Sequence, residues 1–227
     1  MFSYYGSKSK VVNLYPEPTT DKIIEPFAGS ARYALKYWEK DVLLVDKYDV
    51  IIKIWKYLQQ ASERDIMGLP DLKYKETTEG LNLSEGERLL MGFLVARGSR
   101  RPAKIVQKFS SVANDKKRIA SDLHKIRHWT IMQGEYADIP NQKATWFIDA
   151  PYQYGGELYN TCERQGGIDF DYLKKWTLGR EGQVIVCENT KADWLPFAPL
   201  RKMHGSLHTT TEAIWMNGGM DTQSYLF

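Results

Sequence analysis

The stretch KIIEPFAGSARYALKYWEKDVLLVDKYDVIIKIWKYLQQ, residues 22–60, decides the fold class. It opens on a short apolar run, KIIEPF (22–27), which reads as a buried strand. Ser30 follows a turn at Gly29 and is placed to cap a helix starting near Ala31. DVLLVD (41–46) is apolar and β-branched, a second strand. DVIIKIWKYLQQ (49–60) repeats apolar side chains at Ile51, Ile54, Trp55 and Leu58, a helical stripe. Strand, helix, strand, helix in this short span predicts a parallel sheet with crossover helices.

Working outward, residues 62–86 are polar, with Gly68, Pro70, Gly80 and Gly86 and little periodicity. ERLLMGFLVARG (87–98) and RIASDLHKIRHW (118–129) read as two helices bracketing SRRPAKIVQKF (99–109), with no evident strand between them. Strand patterns return in ATWFIDAPY (144–152) and QVIVCEN (183–189). The tail, with HTTTEAIWMNG (208–218) and a final SYLF, suggests a closing antiparallel pair. The expected organisation is a catalytic domain built from 1–61 and 128–227, interrupted after its second strand by a helical insertion at 62–127.

Length and composition agree with one ordinary globular unit: 227 residues, 43% hydrophobic and 26% charged. No run of ~18 apolar residues is present, so no membrane-spanning helix is expected. MFSYYGSKSK has no apolar stretch behind its charges, unlike a secretory signal. Two cysteines, Cys162 and Cys187, fit a reducing, cytoplasmic setting, and no His/Cys spacing suggests a metal site. The net charge is +3, yet Arg88 to Arg127 holds eleven Lys or Arg against two Asp or Glu, a local balance of +9. Such a cluster is either a solvated helical face or a polyanion-binding surface.

Four motifs bear chemistry. In EPFAGSA (25–31), Gly29 permits a tight turn and close backbone approach of a ligand beyond the first strand. With only one glycine it is not a dinucleotide fingerprint, and it is also compatible with a simple turn. Asp46 ends the second strand, where a carboxylate can accept two ribose hydroxyls or serve the next helix, for which Asp49 is the better cap. In TWFIDAPY (145–152), Pro151 stiffens a loop that displays the Asp149 carboxylate, the Ala150 carbonyl and the Tyr152 ring. Two acceptors and an aromatic face suit a flat exocyclic amine. YYGSKSK (4–10) offers two rings, Gly6 and Lys8, or else is a loose start.

In this order the motifs resemble those of the Dam-type, alpha-group DNA adenine-N6 methyltransferases. That family runs an aromatic-G-G-K motif, a P-F-x-G-x-G loop, a target-recognition insertion and D-P-P-Y. Here YYGSK, EPFAGSA, the basic insertion and DAPY follow the same sequence. GEY (134–136) resembles the family's G-D-F, and QVIVCEN and TEAIWMN resemble its later strands. Ser7, Ala31 and Ala150 depart from the pattern, at positions where the family has Gly, Gly and Pro.

The resemblance implies a Rossmann-like methyltransferase fold, S-adenosylmethionine as cofactor and double-stranded DNA as partner. By it, Tyr4, Tyr5, Gly6, Lys8, Glu25, Pro26, Phe27, Gly29, Asp46, Glu135, Tyr136 and Asp149 would surround the cofactor. Asp149, Ala150, Pro151 and Tyr152 would form the catalytic loop, with Tyr152 stacking the flipped base. Lys8 would meet the cofactor carboxylate or the DNA. Arg97, Arg100, Arg101, Lys104 and Lys108 would neutralise phosphates, apart from the cofactor loops.

Overall fold

The computed structural model describes residues 1–155, 167–204 and 209–218. Seven strands form one sheet: β1 (Lys22–Glu25), β2 (Asp41–Asp46), β3 (Thr130–Gln133), β4 (Ala144–Ile148), β5 (Gly182–Asn189), β6 (Ala198–His204) and β7 (Thr209–Met216). Their order is β3-β2-β1-β4-β5-β7-β6. β1 to β5 are mutually parallel, and β7 runs antiparallel to both β5 and β6. The winding therefore reverses between β1 and β4, and a crevice opens beyond their carboxyl ends. This is a doubly wound, Rossmann-like α/β fold with a small helical insertion. Among the described residues no helix is long and apolar enough to cross a membrane.

Both faces of the sheet are covered, which explains the continuous apolar strand runs. Successive residues point to opposite faces. Ile23, Val42, Leu44, Phe147, Ile185 and Cys187 join one core layer with α2 (Asp49–Gln60). Ile24, Leu43, Val45, Trp146, Ile148, Val184 and Val186 join the other with Leu173 and Trp176 of a helix at Phe170–Leu178.

Several expectations are corrected. The first helix, α1 (Arg32–Lys36), has five residues, and its N-cap is Ala31, not Ser30. Asp49 is the first residue of α2, with Tyr48 at the N-cap; it faces Lys53 one turn on rather than capping. β3 carries one buried residue in four, too weak an alternation to stand out in sequence. The polar stretch 62–86 contains α3 (Glu63–Gly68), started by a capping box between Ser62 and Asp65. α4 spans Glu85–Leu94, and α5 spans Val112–Asp122, beginning six residues before the predicted helix. The final helix, α6, is Phe170–Leu178. Thr77 and Ile105 form an isolated antiparallel bridge, so strand-like pairing does exist in the insertion. Leu90, Met91, Phe93 and Leu94 of α4 pack into the same core layer as α2, so the insertion shares the main core. β6 and β7 supply the closing pair. The final SYLF and Cys162 lie outside the described residues.

Candidate active site

A cleft of about 390 Å³ lies at the crevice where the winding reverses, within the size range of small-molecule sites. Its lining includes Tyr4, Tyr5, Gly6, Lys8, Glu25, Pro26, Phe27, Gly29, Asp46, Glu135, Tyr136, Asp149 and Pro151. Thus these residues, from five separated stretches of the chain, converge on one space. Ala150 and Tyr152 are not among its lining residues.

The floor is the Gly29 turn. Its N–H donates to Asp46 Oδ2 at 2.9 Å, and its carbonyl accepts from Trp55 Nε1 at 2.9 Å. Gly29 has φ +44°, and a Cβ there would meet the Tyr4 ring at 3.3 Å, so a side chain is strained and crowded. Ala31 stands where the resembled family has glycine, yet it takes the same left-handed geometry, φ +45°. Ser7 accepts from Ser30 Oγ at 3.0 Å and from Arg32 Nε at 3.1 Å, tying the first segment to this turn. That segment is no loose start, since Met1 and Phe2 are buried and Arg32 donates to the Phe2 carbonyl at 2.8 Å.

Three carboxyls border the cleft, Glu25 buried and Asp46 and Asp149 half-buried. Asp46 Oδ1 also accepts the Tyr48 N–H at 2.9 Å. Each of its oxygens thus retains acceptor capacity for a hydroxyl. Burial pushes its pKa up to about 6 against those two bonds. Glu25 Oε1 accepts the Ala34 N–H at 2.6 Å and so caps α1 from the sheet. Burial lifts Glu25 to about 8. Asp149 is pushed up to about 6 by burial, opposed by the Lys8 ammonium and reinforced by the nearby Glu212 carboxylate. One wall is aromatic: Phe27 lies 5.2 Å from Tyr136, which meets Trp176 edge-on at 5.1 Å. Glu135 pairs with Lys47 at 2.5 Å.

The structure corrects Lys8. Its ammonium sits 2.8 Å from Asp149 Oδ1, 3.6 Å from Glu212 Oε1 and 4.6 Å from the Tyr152 ring centre. A buried cation is held by its nearest carboxylates, so Lys8 is not available to a cofactor carboxylate or to DNA. Tyr152 is corrected too. Its hydroxyl donates to Glu212 Oε1 at 2.6 Å, and Lys8 covers one ring face, so it is not an open stacking platform. The loop after Asp149 is clamped by β5. Glu188 accepts the Gln153 N–H at 2.6 Å, and Asn189 Nδ2 donates to the Tyr154 carbonyl at 2.9 Å.

Sequence reasoning missed Glu212, Tyr15, Glu188 and Asn189. The available signal was a lone carboxylate inside the strand TTTEAIWM and another ending GQVIVCEN.

The basic segment divides. Arg97 makes two bonds to Asp115, at 2.9 and 3.0 Å, and Arg118 joins the same carboxylate at 2.7 Å. Arg97 is therefore not an open phosphate ligand. Lys104 pairs with Glu79. Lys116 is buried against the Leu69 carbonyl and Asp71, and Arg127 caps α2 at the Gln59 and Ala61 carbonyls. Lys108 is exposed, its ammonium 5.8 Å from the ring centre of Phe109, itself 85% exposed. Arg100 lies 5.5 Å over the Tyr5 ring, and the Tyr5 N–H donates to the Ser99 carbonyl at 3.2 Å. The basic loop thus touches the cleft lining, contrary to the expected separation.

No protein-family model matches the chain, and no curated protein matches it significantly. Among solved structures, it is similar to a "conserved hypothetical protein" of Streptococcus pyogenes at 11% identity and TM-score 0.36, covering 87% of this chain and 86% of that one. It is also similar to the "Putative methyltransferase yhhF from Escherichia coli", at 10% identity and TM-score 0.31, covering 91% and 78%. Likenesses this remote bear on neither substrate nor activity. Among the described residues no group of three or more His, Cys, Asp or Glu is arranged to hold a metal.

Proposed function

We propose that this chain is a Dam-type methyltransferase that transfers a methyl group from S-adenosylmethionine to the N6 amine of adenine in double-stranded DNA. The observation that carries the reading is the placement of Asp149, held by Lys8, at one edge of a cleft that also gathers the Gly29 turn and the Asp46 carboxylate. The donor set fits the cofactor. Asp46 keeps acceptor capacity for ribose hydroxyls, Gly29 admits close approach, and the carboxyls suit a cation. When bound, the cofactor supplies an electrophilic methyl group on a positively charged sulfur.

The chain's own residues position the amine. An adenine N6 lone pair is delocalised into the ring and is a weak nucleophile. Asp149 Oδ2, which has no protein partner among the described residues, would accept one N–H, and the Ala150 carbonyl the other. Both bonds draw the nitrogen toward tetrahedral geometry and localise its lone pair. Asp149 and water would take up the proton that the amine sheds on accepting the methyl group. The target must first be flipped from the duplex, at a cost of a few kcal/mol. The three departures from the family pattern are compatible with this reading: Ala31 takes the left-handed geometry, Ser7 bonds the turn, and Ala150 offers a carbonyl. Arg100, Arg101 and Lys108 are the residues assigned to phosphate contact.

The test is direct. The protein is incubated with duplex DNA and cofactor, and N6-methyladenine is mapped by long-read sequencing. Methylation at a defined site is expected. Absence of cofactor binding in calorimetry overturns the cofactor assignment. Binding with methylation of RNA or protein but not DNA overturns the substrate alone.

A further inference from the structure

Beyond the cleft, on the side of the sheet that faces α2, lies a buried polar cluster drawn from five distant positions. Glu212, on β7, is only 8% exposed. Its Oε1 accepts the hydroxyls of Tyr15 at 2.7 Å and Tyr152 at 2.6 Å, and lies 3.6 Å from Lys8 Nζ. Lys8 in turn holds Asp149 Oδ1 at 2.8 Å, so the two carboxylates lie on either side of one ammonium. Glu212 is not among the residues that line the cleft.

We propose that Glu212 is a positioning residue for Asp149, acting through Lys8 and Tyr152. The proposal rests on the methyltransferase reading only for the consequence on methyl transfer. Two carboxylates share one ammonium. Burying either without it is costly, so the three groups are mutually fixed. With Lys8 seated on Oδ1, Asp149 Oδ2 is left for the incoming amine. Tyr152 is pinned at its hydroxyl and cannot swing into that position. Without the Glu212 charge, Lys8 closes fully on Asp149 and the phenol ring loses its anchor. A leucine or valine would fill a strand interior more cheaply than this glutamate, which accepts two hydroxyls on one oxygen with the Lys8 ammonium at ion-pair distance.

The groups facing Asp149 are Lys8 from the first segment, Glu25 from β1, Cys187 and Glu188 from β5, Tyr152 from its own loop, and Glu212 from β7. Removing one charge must therefore move its titration in a signed way. Glu212 and Lys8 push in opposite directions.

The experiment follows the Asp149 carboxyl by carbon-13 NMR in protein labelled at aspartate, with Asp149→Asn to assign the signal. Glu212→Gln is expected to lower the midpoint by ~0.5–1 pH unit, and Lys8→Met to raise it. In methylation assays, Glu212→Gln should lower kcat about tenfold or more, with the cofactor KM within about twofold. Tyr15→Phe keeps the charge but removes one donor, and should lower kcat severalfold while leaving the KM in place. An Asp149 midpoint unchanged in Glu212→Gln overturns the proposal. If Glu212→Gln does not fold, an unchanged kcat in Tyr15→Phe overturns it instead. A wild-type protein that titrates as expected but transfers no methyl group to DNA defeats the functional reading and leaves the Glu212 linkage standing.

Discussion

The cleft and the basic insertion handle charge in opposite ways. Around the cleft, Glu25 is buried, Asp46 and Asp149 are half-buried, and all three are fixed by backbone N–H groups or by one lysine. In the insertion, charges are many and mostly at the surface, and Arg97, Lys104, Lys116, Arg118, Lys125 and Arg127 already have partners within the chain. The +9 balance therefore overstates the surface open to a polyanion. Few charges in a low-dielectric cleft can outweigh many in solvent, because exposed pairs contribute little and buried ones are costly to disturb.

The largest effect is expected at the cleft. Asp149→Ala should lower the methylation rate by about a hundredfold or more while the cofactor dissociation constant barely moves, because its contacts are to the target amine. Retention of a tenth of the wild-type rate would return Asp149 to a structural role. Next comes Asp46→Ala. It removes an acceptor from the Gly29 and Tyr48 N–H groups as well as from the ribose. Calorimetry should show affinity weakened at least tenfold, from the loss of ~1.5–3 kcal/mol for a charge-assisted bond, with a lowered Tm. A variant with unchanged affinity would remove Asp46 from the cofactor site.

A pH series sharpens the same contrast. Glu25, Asp46 and Asp149 have folded pKa values raised above their unfolded ones. Across about pH 4 to 8 these three groups bind more protons folded than unfolded, so their contribution to stability falls as pH rises, opposed in part by the buried Met1 amine, which burial holds down to about 4. The ligand-free protein should melt higher at pH 5 than at pH 8. Cofactor affinity should run the other way, rising with pH, with protons released on binding. Calorimetry in buffers of different ionisation enthalpy reads that release, and proton uptake on binding would contradict the assigned charges.

The smallest effect is expected in the insertion. Replacing Arg100 and Arg101 together with Ala should flatten the salt dependence of DNA binding by up to ~2 units. Because Arg100 stacks on Tyr5, cofactor affinity should also fall, by a few-fold. A cofactor affinity identical to wild type would separate the two regions after all. Full retention of DNA affinity and salt slope would leave the basic loop a solvated face.

Much of the helix and strand pattern was legible because it is local. DVLLVD and DVIIKIWKYLQQ are observed with the predicted limits, since apolar period and chain punctuation act over a few residues. The boxes Ser62–Asp65 and Ser84–Glu87 are equally local but were not read, because the polar surroundings of the first mask the short helix α3. β3 was not readable, because an edge strand with one buried side chain shows no alternation.

The sequence by itself determined the alternating α/β class and the order of the motifs, which follow from local hydrophobic pattern and turn chemistry. The tertiary structure alone decided which charges are neutralised, and by what. Tyr15 meets Glu212 across 197 residues of chain, and Arg118 meets the Met1 carbonyl across 117. Charge on paper carries no information about its partner, because pairing depends on which face of which strand two distant residues occupy. Asp149, Cys187 and Glu212 meet because strand alternation and the reversal of β7 bring them to the same side of the sheet.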